Sequence, residues 1–363
     1  MIRTLLLFVL LMMLSACKPA PSSGPDLAQL LRGAEGAGFA PITPSLKLAF
    51  PADHGAHFAQ RLEWWYFVGN LSASDGREFG YQLTIFRLGL QPRAPSEIAL
   101  AGEQVLMGHF ALSDLSGGCY WPFERFARVD GRLGVVQNPP LVLKLDHWSI
   151  TQQAGTPLAF NLQASQDGIA IDLNLRADSA IVLQGEQGYS QKSADPANAS
   201  AYYSVPRLLT TGQIRIDGAE LPVEGLSWLD REWSSSQLAR DQVGWRWYAL
   251  HLDDGSNLML YTLINADGTT DAWSKGTWLP ADGPRQNLTR DDFEIRTLRE
   301  WQAPNGSRYA VDSQVEIPAL GLSLKITAAL DNQLFSGMFT YWEGAVRVSG
   351  SHTGRGYLEM TDD

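Results

Sequence analysis

One hairpin signature occurs twice in this chain, and that recurrence constrains the fold more than any other feature. Trp64, Trp65 and Tyr66 open a strand-like run that turns at Asp75–Gly76 into Phe79–Phe86; Trp245, Arg246, Trp247 and Tyr248 open another that turns at Asp254–Gly255 into Leu258–Leu263. A closing hairpin repeats as well. The run Gly212–Gly218 matches Gly344–Gly350 in its alternation, and each copy continues to a further glycine, Gly225 or Gly356, before a last strand. Opening and closing hairpins keep their order, so the pattern predicts two domains of related plan, one from about 45 to 234 with additional loops and one from about 238 to 363.

Further strand-like runs lie at Gln104–Leu112, Leu141–Leu145 and Ile169–Leu175, and Asp-Gly turn signals at 130–131, 167–168, 217–218 and 267–268 punctuate the sequence. Sustained helical periodicity is missing. The 363 residues are 45% hydrophobic and 18% charged, with glycine and proline spread without a period, which excludes collagen-like and low-complexity architectures. An all-β chain of this size must close or cover its sheet edges, so barrels or sandwiches are expected. A barrel could hold a small apolar ligand, although periodicity does not show whether its inside is filled.

The N-terminus reads as an address. Arg3 precedes the apolar run Leu5–Leu14, which is too short for a spanning helix, and Leu14, Ser15, Ala16 and Cys17 resemble the lipobox of bacterial lipoproteins. Residues 1–16 are therefore expected to leave as a signal peptide, with Cys17 lipidated as the mature N-terminus and 17–44 as a tether rich in Pro, Ser, Gly and Ala, carrying a short helix around Leu27–Arg32. Lys18 follows the cysteine, and without an Asp there the resemblance implies an outer-membrane lipoprotein facing the periplasm. With Cys17 acylated, Cys119 has no disulfide partner, and a small buried or half-buried side chain is expected there rather than a nucleophile. Nucleic acid is excluded as a partner, because 28 Lys and Arg stand against 39 Asp and Glu and no basic cluster occurs.

Familiar catalytic patterns are missing: HExxH, GxSxG, a phosphate-cradling loop and GxGxxG all fail to appear, and the six histidines include one close pair, His54 and His57, whose spacing of three on a loop is weak evidence for a metal. Neither a metal nor a cofactor is expected. What stands out is acid and arginine among tryptophans. Glu63 precedes Trp64, Trp65 and Tyr66, and Asp230, Arg231, Glu232 and Trp233 fall where the first domain ends. Carboxyls beside indole rings are poorly solvated, which raises their pKa and lets them donate a proton near neutrality, so Asp230, Glu63 and Glu232 are the candidate acids. Arg231 opposes this for whichever carboxylate it faces, and sequence leaves that choice open. Equally open is a structural reading in which Arg231 and the acids form an ion pair fastening the two domains. Tyr202, Tyr203, Trp245, Trp247, Tyr248 and Tyr261 crowd the same stretch with Trp228; such rings could line a pocket for a long apolar ligand and stabilise a carbocation, or pack as barrel core.

Leu62–Tyr66 with Gly69, Tyr202–Arg207, Trp228–Ser236, Gly244–Tyr248, Tyr341–Gly344 and Gly356–Glu359 together resemble the AttH-like branch of the hydroxyneurosporene synthase (carotenoid 1,2-hydratase) family, over nearly all of the chain from about 50 onward. The resemblance implies two lipocalin-like β-barrel domains and kinship with enzymes that hydrate an isolated alkene or cyclise polyenes without a cofactor. Asp230 and Trp233 match the hydratase branch, whereas Arg231 stands in place of a histidine there and cannot give up a proton at working pH. Members of this branch also accompany ABC-type export permeases. Two readings follow: an envelope lipoprotein that binds a hydrophobic lipid- or isoprenoid-like molecule near the domain junction, with acid-catalysed hydration or cyclisation, or a non-catalytic accessory or chaperone of an ABC-type envelope transporter.

Overall fold

A computed structural model describes residues 38–92, 103–156 and 158–361, together with Ala28, Leu31 and Arg32. The expected signal peptide, Cys17 and most of the tether lie outside the described residues. The Arg32 amide donates to the Ala28 carbonyl at 3.0 Å, a single helical turn where a short helix was expected.

The first sheet has thirteen strands: β1 (Leu62–Ala73), β2 (Glu78–Gly89), β3 (Gln104–Asp114), β4 (Cys119–Arg128), β5 (Gly134–Gln137), β6 (Val142–Leu145), β7 (Trp148–Gln152), β8 (Ala159–Gln166), β9 (Ile169–Ala177), β10 (Val182–Leu183), β11 (Tyr189–Gln191), β12 (Ala199–Ile216) and β13 (Ala219–Ser236). Ten more form the second: β14 (Gln242–Leu252), β15 (Asn257–Asn265), β16 (Lys275–Leu279), β17 (Gln286–Thr289), β18 (Glu294–Gln302), β19 (Arg308–Ile317), β20 (Leu322–Ala328), β21 (Leu334–Ser336), β22 (Thr340–Gly350) and β23 (Gly354–Met360). The first curls into a nearly closed barrel and the second into half a barrel, so the chain folds as two tandem all-β domains.

The heart of each sheet has one plan. Strands run β2-β1-β13-β12 in the first and β15-β14-β23-β22 in the second, so in both the closing hairpin returns to pair with the opening strand. The repeated glycines sit at the same place in this plan. Gly225 pairs with Leu71 and Gly356 with Leu250, and a Cβ added at either would fall 2.1 or 2.2 Å from the facing carbonyl oxygen, that of Asn70 or of Ala249. Asp-Gly hairpins follow the turn chemistry that the sequence announced: Asp167–Gly168 and Asp217–Gly218 both take positive φ, at 50° and 85° and at 49° and 86°. Cys119 departs from expectation. It is exposed, because it opens β4 directly after the tight turn at 117–118 rather than reaching the barrel interior.

Three apolar cores result. One fills the first barrel, around Trp65, Phe67, Trp148 and Tyr203; a second fills the half-barrel, around Tyr248, Trp342 and Leu358. The third lies between the domains and includes Tyr66, Trp228, Trp247, Tyr341 and Tyr357. Strand β1 and the adjoining halves of β12 (199–206) and β13 (227–234) thus bury both faces, which is why their sequences lack a clean apolar–polar alternation. Polar contacts cross the same junction: Thr277 donates to Gln184 at 2.6 Å, Ser113 to Gln333 at 2.8 Å and Asn70 to the Gly356 carbonyl at 3.1 Å.

Candidate functional site

Register sorts the aromatic and acidic residues of β1 and β13 onto opposite faces. Pairing runs Glu63 with Trp233, Trp64 with Glu232, Trp65 with Arg231 and Tyr66 with Asp230. On β12, Tyr202 lies opposite Glu232 and Tyr203 opposite Arg231. With a side-chain period of two, one set must turn into the first barrel and the other toward the junction.

The inward set closes an ion cluster. Glu63, fully buried, is bonded by the guanidinium groups of both Arg87 and Arg231. Arg231 also donates to the Gly55 carbonyl at 2.5 Å, and its guanidinium carbon lies 3.9 Å from the Trp65 ring centroid and 4.9 Å from that of Trp233. Burial alone would raise the Glu63 pKa, but Arg87 and Arg231 hold this carboxyl well below the usual range. Glu63 is therefore a fixed anion inside the first barrel, not a proton donor at the junction. Arg231 does not fasten the domains, and it faces neither Asp230 nor Glu232. Trp65, Tyr203 and Trp233 share its side of the sheet, and Tyr248 turns into the half-barrel, where its hydroxyl meets Ser313 at 3.4 Å.

The other set meets at a cavity of about 100 Å³ between the domains. Trp64, Tyr66 and Phe86 bound it from the first barrel, with Tyr202, Asp230 and Glu232; Trp245, Trp247, Tyr261, Tyr341 and Glu359 close it from the second. Leu31, from the N-terminal segment, and Gln237 and Leu238, from the connection between the sheets, complete its wall.

Among the described residues, Asp230 has no basic partner. Its carboxyl receives the Tyr202 hydroxyl at 2.6 Å, the Ser204 hydroxyl at 2.5 Å and the Trp228 indole N–H at 2.7 Å, all neutral donors. Burial pushes its pKa up to about 7 despite those three bonds, and nearby Glu232 pushes in the same direction. Glu232 is different. Lys192 donates to it at 2.5 Å and Ser200 also bonds it, which makes a buried neutral pair on the cavity wall. Across the cavity, Glu343 and Glu359 lie opposite one another on β22 and β23. The Tyr66 hydroxyl donates to Glu343 at 2.5 Å and the Trp245 indole to Glu359 at 2.7 Å. Burial and the neighbouring Glu359 carboxyl push Glu343 well up, and burial brings Glu359 to about 7.

Tyr341 enters the cavity with its own support. It lies 2.7 Å from His109 Nδ1, and the other ring nitrogen of His109 is 3.1 Å from a Glu124 carboxylate oxygen. Lys192, Tyr341, Glu343 and Glu359 were not singled out as site residues from sequence. The two glutamates do carry a readable signal, each standing two residues after a tyrosine on a strand of the second closing hairpin, at Tyr341–Glu343 and Tyr357–Glu359. Lys192 carries none, since it lies in a connection between β11 and β12 and reaches Glu232 only through the fold.

The AttH-like family profile matches residues 41–362. The chain belongs to the AttH-like family. Among solved structures this AttH-like chain is similar to that of an AttH protein from Nitrosomonas europaea, with 33% identity, a TM-score of 0.80 and coverage of 89% of this chain and 99% of that one. It shares its fold with kievitone hydratase from Nectria haematococca, at 14% identity and a TM-score of 0.66 over 94% of this chain and 98% of that one. CghA, solved with Sch210972, has the fold too, at 11% identity and a TM-score of 0.55, covering 94% and 97% of the two chains. No curated protein matches the sequence. Within the AttH-like protein, Arg231 points away from the cavity, while its chain neighbour Asp230 points into it.

Proposed function

We propose that this AttH-like protein is an envelope lipoprotein, anchored through Cys17, that takes one end of a hydrophobic, lipid- or isoprenoid-like molecule into the junction cavity and protonates it from Asp230. The observation that carries the reading is Asp230 itself: a carboxyl with a pKa of about 7, held by neutral donors on the wall of an aromatic cavity. Such a group holds a proton near neutrality and can release it. In the proposed step the Asp230 proton bonds to one alkene carbon as the π pair shifts, and the cation left on the other carbon is stabilised by the surrounding rings. Water adds its oxygen to that cation and returns a proton to the Asp230 carboxylate, so water is added across the double bond without a cofactor. Attack by a second alkene of the same chain would instead cyclise it, with loss of a proton to Asp230.

The volume of about 100 Å³ admits a branched terminus rather than a whole polyene, which suits chemistry at a chain end. The test titrates farnesol, geranylgeraniol and oleate into protein lacking residues 1–17, following tryptophan fluorescence and then product by mass spectrometry. Saturable binding with at least one probe and turnover that Asp230→Asn abolishes are expected. No saturable change with any probe would overturn the binding reading, and full turnover by Asp230→Asn would remove Asp230 as the acid.

A further inference from the structure

The charge inventory of the junction narrows the ligand class, and the inference rests on the reading of the cavity as a ligand site. Among the described residues, four carboxyls surround or back this cavity, and a single cation on its wall, Lys192, faces them. That lysine is taken by Glu232 and Ser200, with its ammonium 5.6 Å from the Tyr202 ring and 5.7 Å from the Tyr261 ring. Asp230, Glu343 and Glu359 have only hydroxyl and indole donors. One oxygen of the fully buried Glu343, Oε2, has no hydrogen-bond partner among the described residues. Buried carboxyls are ordinarily matched by a cation or by several backbone N–H groups. Here the place for the missing positive charge is the cavity.

Aromatic faces make the same demand. Trp64, Trp245, Trp247, Tyr66, Tyr202 and Tyr341 present rings to a space with little polar lining, and the ring quadrupole attracts a desolvated organic cation. A carboxylate head group would meet carboxyls instead, and a neutral hydrocarbon would use the rings while leaving the acids unmatched. We propose that the junction cavity selects a lipophilic organic cation, an apolar chain ending in a tertiary or quaternary ammonium, over neutral and anionic molecules of the same shape.

The cavity volume agrees with a trimethylammonium group, which is about as bulky as the branched end of an isoprenoid. Binding would also release protons. Asp230 and Glu359 have pKa values of about 7 and burial pushes Glu343 well above its ordinary range, so an incoming cation favours their ionised forms. Tyr66, Tyr202, Tyr261 and Tyr341, which also face the cavity, are pushed upward by burial and do not titrate in this range, and Lys192 is paired with Glu232. His109, behind Tyr341, is pushed down by burial. Affinity for a permanent cation should therefore rise with pH from 6 to 8, while that for an uncharged ligand should not.

Three probes with one tail decide the matter: farnesyl-trimethylammonium, farnesol and farnesoate, titrated below their micelle concentrations by tryptophan fluorescence at pH 6, 7 and 8. At pH 7 the ammonium should bind about tenfold more tightly than the alcohol and the carboxylate least tightly. Glu359→Gln should shrink the ammonium-to-alcohol ratio, while Glu220→Gln, an exposed position on β13, should leave it as it is. Farnesol binding as tightly as the ammonium, or an ammonium affinity flat in pH, overturns the cation preference and leaves the hydrophobic site standing. If none of the three binds, the site and the preference fall together.

Discussion

Asp230 and Arg231, adjacent in the chain, point to opposite sides of β13 and belong to different machines. Arg231 is bonded to Glu63 inside the first barrel, and Asp230 meets Tyr202, Ser204 and Trp228 beside the junction cavity. One strand thus separates a permanently charged cluster from a carboxyl that changes charge near neutral pH, with a single layer of backbone between them.

The cluster predicts a stability effect. Removing Arg231 leaves Glu63 buried with Arg87 and the His57 amide, and breaking a buried pair typically costs about 3–5 kcal/mol. Arg231→Met should therefore lower the urea midpoint sharply. Replacing Glu63 as well, Arg231→Met with Glu63→Gln, should lower it further, because Arg87, also fully buried, then loses the carboxylate it is bonded to. A double variant no less stable than the single one would show that the Glu63–Arg87 pair does not hold the cluster together.

Asp230 gives the opposite dependence on pH. Its pKa is about 7 in the fold against an ordinary 3.8, so between these values the native state holds a proton that the unfolded chain has lost. That stabilisation is fully present below about pH 4 and disappears as pH rises through 7, amounting to at most about 4 kcal/mol. Glu359, also near 7, adds to the same decline. Glu63 works the other way: its pKa is depressed from 4.5, so its contribution is present above that value and is lost only in stronger acid. Stability should peak on the acid side of neutrality, near pH 5, and fall toward pH 8. Urea denaturation at pH 5, 6, 7 and 8 reads this directly. Asp230→Asn should flatten the slope, and a wild-type curve that does not decline over this range would contradict the assignment.

How much of this was legible in the sequence depends on what each residue faces. The Asp-Gly turns were readable because a positive φ at the glycine, and at Asp167 and Asp217 also at the aspartate, selects those residues locally, and the duplicated hairpins were readable because each copy solves one packing problem, the approach of β13 to β1 and of β23 to β14. The orientation of Glu63, Trp65 and Arg231 against Trp64, Tyr66 and Asp230 was not. Alternation reveals a face only when one side is wet, and around these residues β1 and β13 are dry on both. Lys192 was hidden for another reason: its partner Glu232 is 40 positions away, across a connection whose path no local pattern specifies.

The Lys192–Glu232 pair yields a further prediction. Both side chains are about nine-tenths buried, so Lys192→Met leaves Glu232 with the Ser200 hydroxyl as its remaining donor, at an expected cost of about 3 kcal/mol or more. Glu232→Gln alone should cost less, since the ammonium keeps the Ser190 and Ser200 oxygens at 3.3 and 2.7 Å. A double-mutant cycle on these two positions should give a coupling energy well above that of an exposed pair such as Arg215 with Glu220, whose atoms are 4.0 Å apart at the surface. Coupling energies of similar size at the two sites would mean that burial does not strengthen the junction pair.

The repeated glycines allow the duplication itself to be tested as physics. Gly225 and Gly356 occupy matching places, each under a carbonyl of the opening strand, and neither has a positive φ, so backbone strain plays no part in an alanine substitution there. The added methyl would instead collide with a carbonyl oxygen at 2.1 or 2.2 Å and push the closing strand off the opening one. Overpacking of this kind costs about 1–3 kcal/mol. Gly225→Ala and Gly356→Ala should therefore destabilise to a similar degree, while the second should loosen the half-barrel first, visible as faster amide exchange in β14 and β23 than in β1 and β13. Gly218→Ala supplies the contrast, since nothing lies within 4 Å of its Cβ and only the positive φ of 86° opposes it. Should Gly225→Ala be as mild as a surface substitution, the close approach of β13 to β1 is not what fixes glycine at that position, and the matching glycines of the two domains would need separate explanations.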